Sequence, residues 1–171
     1  MRLDVATAAD LPEVHRLVEA AYRGDSARAG WTHEADLVGG VRTDTDELQV
    51  MLDSPTQHLL VGREDNSIAG CVALTDKDDG LVYLGMFTVA TSRQAGGLGR
   101  RLLVAAEGHA REQHGAERIE MQVIRQREEL IAWYERRGYR RTGEARPFPY
   151  DEPRYTPLRP DLEFVVLEKR L

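Results

Sequence analysis

The run Gln94-Ala95-Gly96-Gly97-Leu98-Gly99-Arg100-Arg101 sets three glycines and two arginines between an apolar stretch, Leu81 to Val89, and a helical pattern that begins near Leu98. A glycine-rich strand-to-helix junction of this kind is a cradle for an anion. Glycine lets the backbone turn sharply and approach a ligand, and the first turn of a helix carries unpaired N–H groups at the positive end of its dipole. A phosphate is the natural guest. The spacing, Gln-x-x-Gly-x-Gly, is neither the dinucleotide fingerprint, which needs a third glycine, nor a P-loop, which needs Gly-Lys-Ser/Thr. Taken alone, a tight turn without a ligand accounts for the same residues equally well.

A second element follows at Leu130-Ile131-Ala132-Trp133-Tyr134-Glu135-Arg136-Arg137-Gly138-Tyr139, a short helix stopped by glycine, with an aromatic that opens a strand. Together the two segments resemble the GNAT N-acetyltransferase superfamily. Its acyl-CoA signature is matched by Phe87-Thr88-Val89 leading into Gln94, Gly97 and Gly99, and its later Tyr-Glu-Lys-x-Gly-Phe element by Tyr134 to Tyr139. Asp4 to Leu11 is similar to the superfamily's opening strand and first helix, so the resemblance covers nearly the whole chain. It implies an α/β fold of one domain, residues 1–171, with a central mixed sheet flanked by helices.

The resemblance also implies a chemistry: acetyl transfer from acetyl-CoA to an amine through a tetrahedral intermediate. The N–H groups from Gln94 through Ala95, Gly96, Gly97, Leu98 and Gly99 to Arg100 would hold the pyrophosphate. Backbone groups of Phe87 and Val89 would pair with the pantetheine arm as an added strand does, and an N–H near Val89 would polarise the thioester carbonyl. Tyr134 stands at the superfamily's usual general-acid position, where a proton eases departure of a thiolate whose conjugate acid has a pKa of about 8.5. From spacing alone, Tyr134 is a core tyrosine. Arg127 occupies a position where the superfamily commonly has asparagine; arginine there can reach a phosphate or carboxylate, or form a salt bridge at a helix start.

An alkyl amine with a pKa near 10.4 must lose a proton before it attacks. Leu81 to Val89 holds no carboxylate, so the base is sought in Glu34, Asp36 or Glu120, or in water held by Tyr83 and Gln122. The resemblance places the acceptor against Tyr22, Trp31, Glu34, Phe148, Tyr150 and Tyr155. Aromatic and acidic groups suit a small cationic amine, and the same aromatics equally suit packing the loop down. A protein or peptide amine is the alternative acceptor, and a non-catalytic acyl-CoA sensor the alternative role. Homodimers are common among proteins of this resemblance.

Charge bears on the partner. The net charge is −6, against nonspecific nucleic-acid binding, and the segment from Gly24 to Asp53 carries seven acids against Arg28 and Arg42, a local balance of −5. Arg93, Arg100 and Arg101 surround the glycine run instead. An acidic lobe beside a basic loop suits a cation at one end and an anion at the other, although solvated surface acids give the same pattern. No membrane span or signal-peptide block is seen, which makes cytoplasm the expected location. The lone Cys71 sits in an apolar run, and His15, His33, His58, His109 and His114 show no metal-ligand spacing, so no metal is expected.

The elements that position these residues follow from periodicity. A strand over Arg2–Ala6 precedes a capping-box-like start at Thr7 and an amphipathic helix with Leu11, Val14, Leu17, Val18, Ala21 and Tyr22 on one face. One or two short helices are expected between Trp31 and Asp53, the clearer being Thr45–Leu52. Strands over His58–Glu64, Ile68–Thr75 and Leu81–Val89 form a meander, and a helix from Leu98 to His114 is capped by Gly115. A strand Arg118–Ile124, a helix Leu130–Arg137, a strand Tyr139–Glu144, a proline-rich loop and a strand Leu162–Lys169 complete the chain.

Overall fold

The computed structural model describes residues 1–23, 27–28, 30 and 33–171, with residues 94 and 95 described by their backbone alone. Strand β1 (Arg2–Val5) leads to Thr7, whose N–H and hydroxyl both donate to Asp10 Oδ2 at 2.9 and 3.0 Å. The start signal at Thr7 thus opens a 3-10 turn, Ala8–Asp10, before helix α1 (Leu11–Tyr22). A three-residue strand β2 (Val38–Gly40) precedes helix α2 (Thr45–Asp53), which Asp44 caps by accepting from the Glu47 N–H at 2.8 Å. Strands β3 (Gln57–Glu64), β4 (Ser67–Asp76) and β5 (Leu81–Val89) form the expected antiparallel meander.

Gly97, at φ +70°, turns the chain from a 3-10 stretch (Thr91–Gly96) into helix α3 (Leu98–His114), a conformation that favours glycine. Strand β6 (Arg118–Ile124) and helix α4 (Glu128–Glu135) follow. Helix α4 starts two residues before the apolar pattern does, because Glu128 and Glu129 in its first turn suit the helix dipole. Strands β7 (Arg140–Pro147), β8 (Tyr155–Pro157) and β9 (Glu163–Arg170) end the chain. Strands β2 and β8 carry no alternation that a periodicity argument can detect; each exists because it pairs with the other, Val38 to Pro157 and Gly40 to Tyr155. That pair takes in part of the expected proline-rich loop, and α2 is the clearer of the one or two short helices expected between Trp31 and Asp53.

The main sheet has the order β1-β3-β4-β5-β6-β9-β7, antiparallel except between β5 and β6, which α3 connects as a crossover. Both faces are covered, which explains the unbroken apolar runs of β3 and β4. Leu59, Val61, Cys71 and Met86 pack with Val14 and Val18 of α1 and Leu48 of α2 on one face. Leu60, Val72, Leu74 and Leu84 pack with Leu98, Leu102 and Ala106 of α3 and Ile131 of α4 on the other. Burial raises the Cys71 thiol to about 12, so it is an inert core residue. No helix among the described residues is long and apolar enough to cross a membrane.

Candidate functional site

Two departures from regular sheet open the site. Strands β5 and β6 pair only through Leu81–Arg118, Val82–Ile119 and Tyr83–Glu120; beyond that β5 continues against β4 and β6 against β9, leaving a wedge between them. Within the wedge β5 carries a bulge. Val72 of β4 faces two residues, Met86 and Phe87, between the pairs Ala73–Gly85 and Cys71–Thr88. Met86 is a buried non-glycine at φ +51°, a strained conformation that costs on the order of 1–3 kcal/mol and persists where its surroundings enforce it. The Met86 carbonyl accepts from the Thr88 hydroxyl at 2.9 Å, and the Phe87 carbonyl from the Tyr22 hydroxyl at 2.9 Å. Because the Ala90 N–H donates to Ala69 of β4, the alternation of a strand turns the polar backbone groups of Val89 and Phe87 toward the wedge.

A cavity of about 340 Å³ fills the wedge, and a slot of about 130 Å³ runs from it to the glycine turn. Tyr22, Phe87, Arg127, Leu130 and Tyr134 belong to both walls. The Tyr134 ring stands at this junction, wedged edge-on against Phe87, Trp133 and Tyr139 with centroids 6.2, 5.0 and 5.6 Å away. Its hydroxyl has no hydrogen-bond partner among the described residues. Burial, then the nearby Tyr22, pushes this phenol far above the ordinary tyrosine value, so it stays protonated.

At the slot's far end, Gly97, Gly99 and Arg100 form the wall with Val89, Trp133 and Arg137. Gly97 supplies no capping side chain to α3, and Gly97, Gly99 and Arg100 of that first turn line the slot. Leu98 is buried in the core and Gly96 is exposed, so each contributes backbone alone. The side chains of Gln94 and Ala95 lie outside the described residues. Of the expected arginines, Arg93 and Arg101 are tied to Glu64 at 3.3 and 2.6 Å. Their place at the slot is taken by Arg137, which stacks on Trp133 with its guanidinium 3.5 Å from the ring centroid. Arg137 is a slot residue that sequence reasoning missed, although it sits inside the quoted motif.

The acceptor-side expectations divide. Tyr22, Glu34, Phe148 and Tyr155 line the cavity, with Tyr83 and Gln122, whereas Trp31 lies outside the described residues. Tyr150 does not line it: its hydroxyl donates to the Arg159 carbonyl at 3.0 Å and accepts from the Leu162 N–H at 2.7 Å, pinning the proline-rich loop. Glu120 is buried away from the cavity against Arg146, at 3.2 Å, and Asp36 pairs on the surface with Arg28 at 2.9 Å. Neither is brought to the reacting region. Glu34 is the cavity's one carboxylate among the described residues, and it is clasped by Arg23 and by Arg127, the latter at 3.3 Å. Its oxygens serve an ion-pair network.

Among the described residues, the acid-rich segment does not make an acidic pocket. Glu47 pairs with Arg154 and Asp44 caps α2, so three arginines, Arg23, Arg42 and Arg127, meet the single Glu34 at the wall. Arg42 has no carboxylate within 4.0 Å among the described residues; its guanidinium lies 5.3 Å from the Tyr22 ring centroid. Glu19 fixes this loop by accepting from the Arg42 and Thr43 N–H groups at 2.8 and 2.9 Å. Arg23 and Arg42 were invisible to motif reasoning because neither belongs to a motif.

The profile of the acetyltransferase (GNAT) family matches residues 12–139. No curated protein matches the chain in sequence. Among solved structures, a ribosomal-protein-alanine N-acetyltransferase from Brucella melitensis is 17% identical with a TM-score of 0.73, covering 100% of each chain. A chimera of spermidine N-acetyltransferase SpeG from Vibrio cholerae and hSSAT is 15% identical with a TM-score of 0.71, over 99% of this chain and 96% of that one. A GNAT family acetyltransferase from Elizabethkingia anophelis with acetyl-CoA bound is 17% identical with a TM-score of 0.63, over 75% and 84%. These likenesses are of fold.

Proposed function

Because the chain belongs to the acetyltransferase (GNAT) family, and is thereby an acyl-CoA-dependent N-acetyltransferase, we propose that it moves an acetyl group from acetyl-CoA onto a small primary amine that also carries an anionic group. The observation that carries this reading is the junction of slot and cavity at Tyr134. The pantetheine arm lies along the backbone of Phe87 and Val89, and the pyrophosphate meets the N–H groups of Gly97, Leu98, Gly99 and Arg100 at the start of α3. Arg137 adds a fixed cation. The thioester then sits where slot meets cavity.

The amine nitrogen attacks the thioester carbonyl carbon from the cavity. As the tetrahedral intermediate collapses the carbon–sulfur bond breaks, and the departing sulfur takes the Tyr134 hydroxyl proton. Arg127 offsets part of the charge left on the phenol, since it is among the groups that pull the Tyr134 value back down. The amine's proton leaves through water held by Tyr83 and Gln122, because Glu34 is engaged by two guanidiniums.

Two features favour a small acceptor with an anionic end over a cationic amine or a protein. Arg42 brings a cation to the wall without a carboxylate partner among the described residues, and a carboxylate or phosphate on the acceptor would meet it. Pro147, Phe148, Pro149 and Tyr155 line the cavity, and Tyr150 pins their loop, an arrangement that suits a small acceptor better than an extended chain. The test is thiol release from acetyl-CoA with size-matched amines bearing a carboxylate, no charge or a second amine. The carboxylated amines should give the highest kcat/KM at low salt, and Arg42→Gln should lower that value roughly 10- to 100-fold, the range of one charge-assisted hydrogen bond. Preference for the diamine would overturn the acceptor assignment.

The slot makes its own prediction. A Cβ on Gly99 would meet Trp133 at 3.5 Å and Val89 at 3.7 Å, ordinary contact, whereas a branched side chain would fill the space between them. Gly99→Ala should bind acetyl-CoA nearly as the parent does, and Gly99→Ile should weaken binding roughly 10- to 100-fold, as overfilling a packed site by about 1–3 kcal/mol implies. Equal affinity of the isoleucine variant, measured by calorimetry, would move the cofactor elsewhere.

A further inference from the structure

At the opposite end of α3 from the glycine turn, about 24 Å away along the helix at 1.5 Å per residue, three histidines converge. His58 lies at the start of β3, and His109 and His114 belong to the last turns of α3. His58 Nδ1 is 3.0 Å from His109 Nε2, the His58 and His114 ring centroids are 4.4 Å apart, and one ring nitrogen of each histidine lies within 4.8 Å of the other two. The His114 side chain is 6% exposed, with Nδ1 facing Asp76 Oδ2 at 3.8 Å. Its Nε2 is buried and has no hydrogen-bond partner among the described residues.

A hydrogen bond between His58 and His109 satisfies one pair of ring nitrogens; it leaves the third ring's buried nitrogen without a partner. A metal ion satisfies all three. We propose that His58, His109 and His114 form a binding site for a divalent ion of the zinc type, which staples the C-terminal end of α3 to the rim of β3.

Tetrahedral zinc with Zn–N bonds of about 2.0–2.1 Å sets its ligand nitrogens roughly 3.3 Å apart. The His58–His109 separation is already close to that value, and His114 closes the remaining gap by small side-chain rotations. Asp76 Oδ2 stands 3.8 Å from His114 Nδ1 and brings a carboxylate beside the ring whose other nitrogen, Nε2, is buried. The charged groups facing the cluster, Asp76 and Glu112, are anionic, and a helix C-terminus favours a cation. Water completes the coordination. The sequence shows no metal spacing because the site joins one strand histidine to two helix histidines five residues apart.

Chelator-treated full-length protein titrated with Zn²⁺ should bind one equivalent and gain roughly 5–10 °C in Tm at a free ion concentration 100-fold above Kd. His109→Ala and His58→Gln should each weaken Zn²⁺ binding at least 10²-fold. Ring ¹H–¹⁵N spectra of the parent protein give a check that needs no variant: signals of His58, His109 and His114 should shift together on saturation while those of His15 and His33 stay put. Absence of stoichiometric binding, undiminished affinity in both variants, or shifts confined to His15 and His33 would overturn the site.

Discussion

Tyr134→Phe is expected to keep its affinity for acetyl-CoA while kcat falls by about 10²-fold or more, the usual range for loss of a general acid at a chemistry-limited step. The fold should tolerate the change. The ring is held by edge-on contacts with Phe87, Trp133 and Tyr139, which phenylalanine preserves, and the hydroxyl makes no hydrogen bond to a described residue that would be left unpaired. Because burial raises this phenol above its ordinary value of about 10, the protonated form persists to higher pH, and the parent enzyme should show no alkaline loss from Tyr134 below about pH 9.5. Stopped-flow thiol release with calorimetric acetyl-CoA binding separates the two constants. A variant with parental kcat would pass the proton-donor role to another group.

Replacing Glu34 by leucine should cost stability before it costs chemistry. Its carboxylate lies between Arg23 and Arg127, all three with side chains at most 11% exposed, so the change removes the anion that both guanidiniums share in a poorly solvated wall. Breaking a buried ion pair in this way costs roughly 3–5 kcal/mol. Urea unfolding should show a lower midpoint with an unchanged slope, and Glu34→Gln, which still accepts hydrogen bonds, should fall between the two. If Glu34 were instead the base, Glu34→Gln would lose turnover with parental stability, a pattern opposite to the one expected.

The residues legible in the sequence were those whose role is local. Helix α3 runs from Leu98 to His114 as its periodicity indicates, because Gly97 and Gly115 punctuate it and its apolar stripe has one face to bury. Strands β5 and β6 likewise match their expected bounds. Groups that act through distant partners were not legible. Glu34 reads as a candidate base or as a structural acid, and nothing local announces that Arg23 and Arg127 will close on it. Tyr150 reads equally as a pocket aromatic and as one that packs the loop down, and the choice depends on how a proline-rich loop folds back to give its bonds to Arg159 and Leu162. The bulge at Met86 gives no sign in composition, since glycine or asparagine would be the expected carrier of a positive φ.

The short pairing of β5 with β6 has a mechanical side. Among the described residues, three residue pairs make the ladder joining one plate, β1-β3-β4-β5, to the other, β6-β9-β7, so the sheet is a book with a narrow spine. Helices α3 and α4 brace that spine from one face. A ligand that lays amide groups along the open limb of β5 works as a page bound in beside the spine, tying its own contacts with α3 and α4 to the strand edge. That spine is not the sole tie between the two halves, because the β2–β8 pairing and the Glu47–Arg154 and Glu34–Arg127 ion pairs cross beside it.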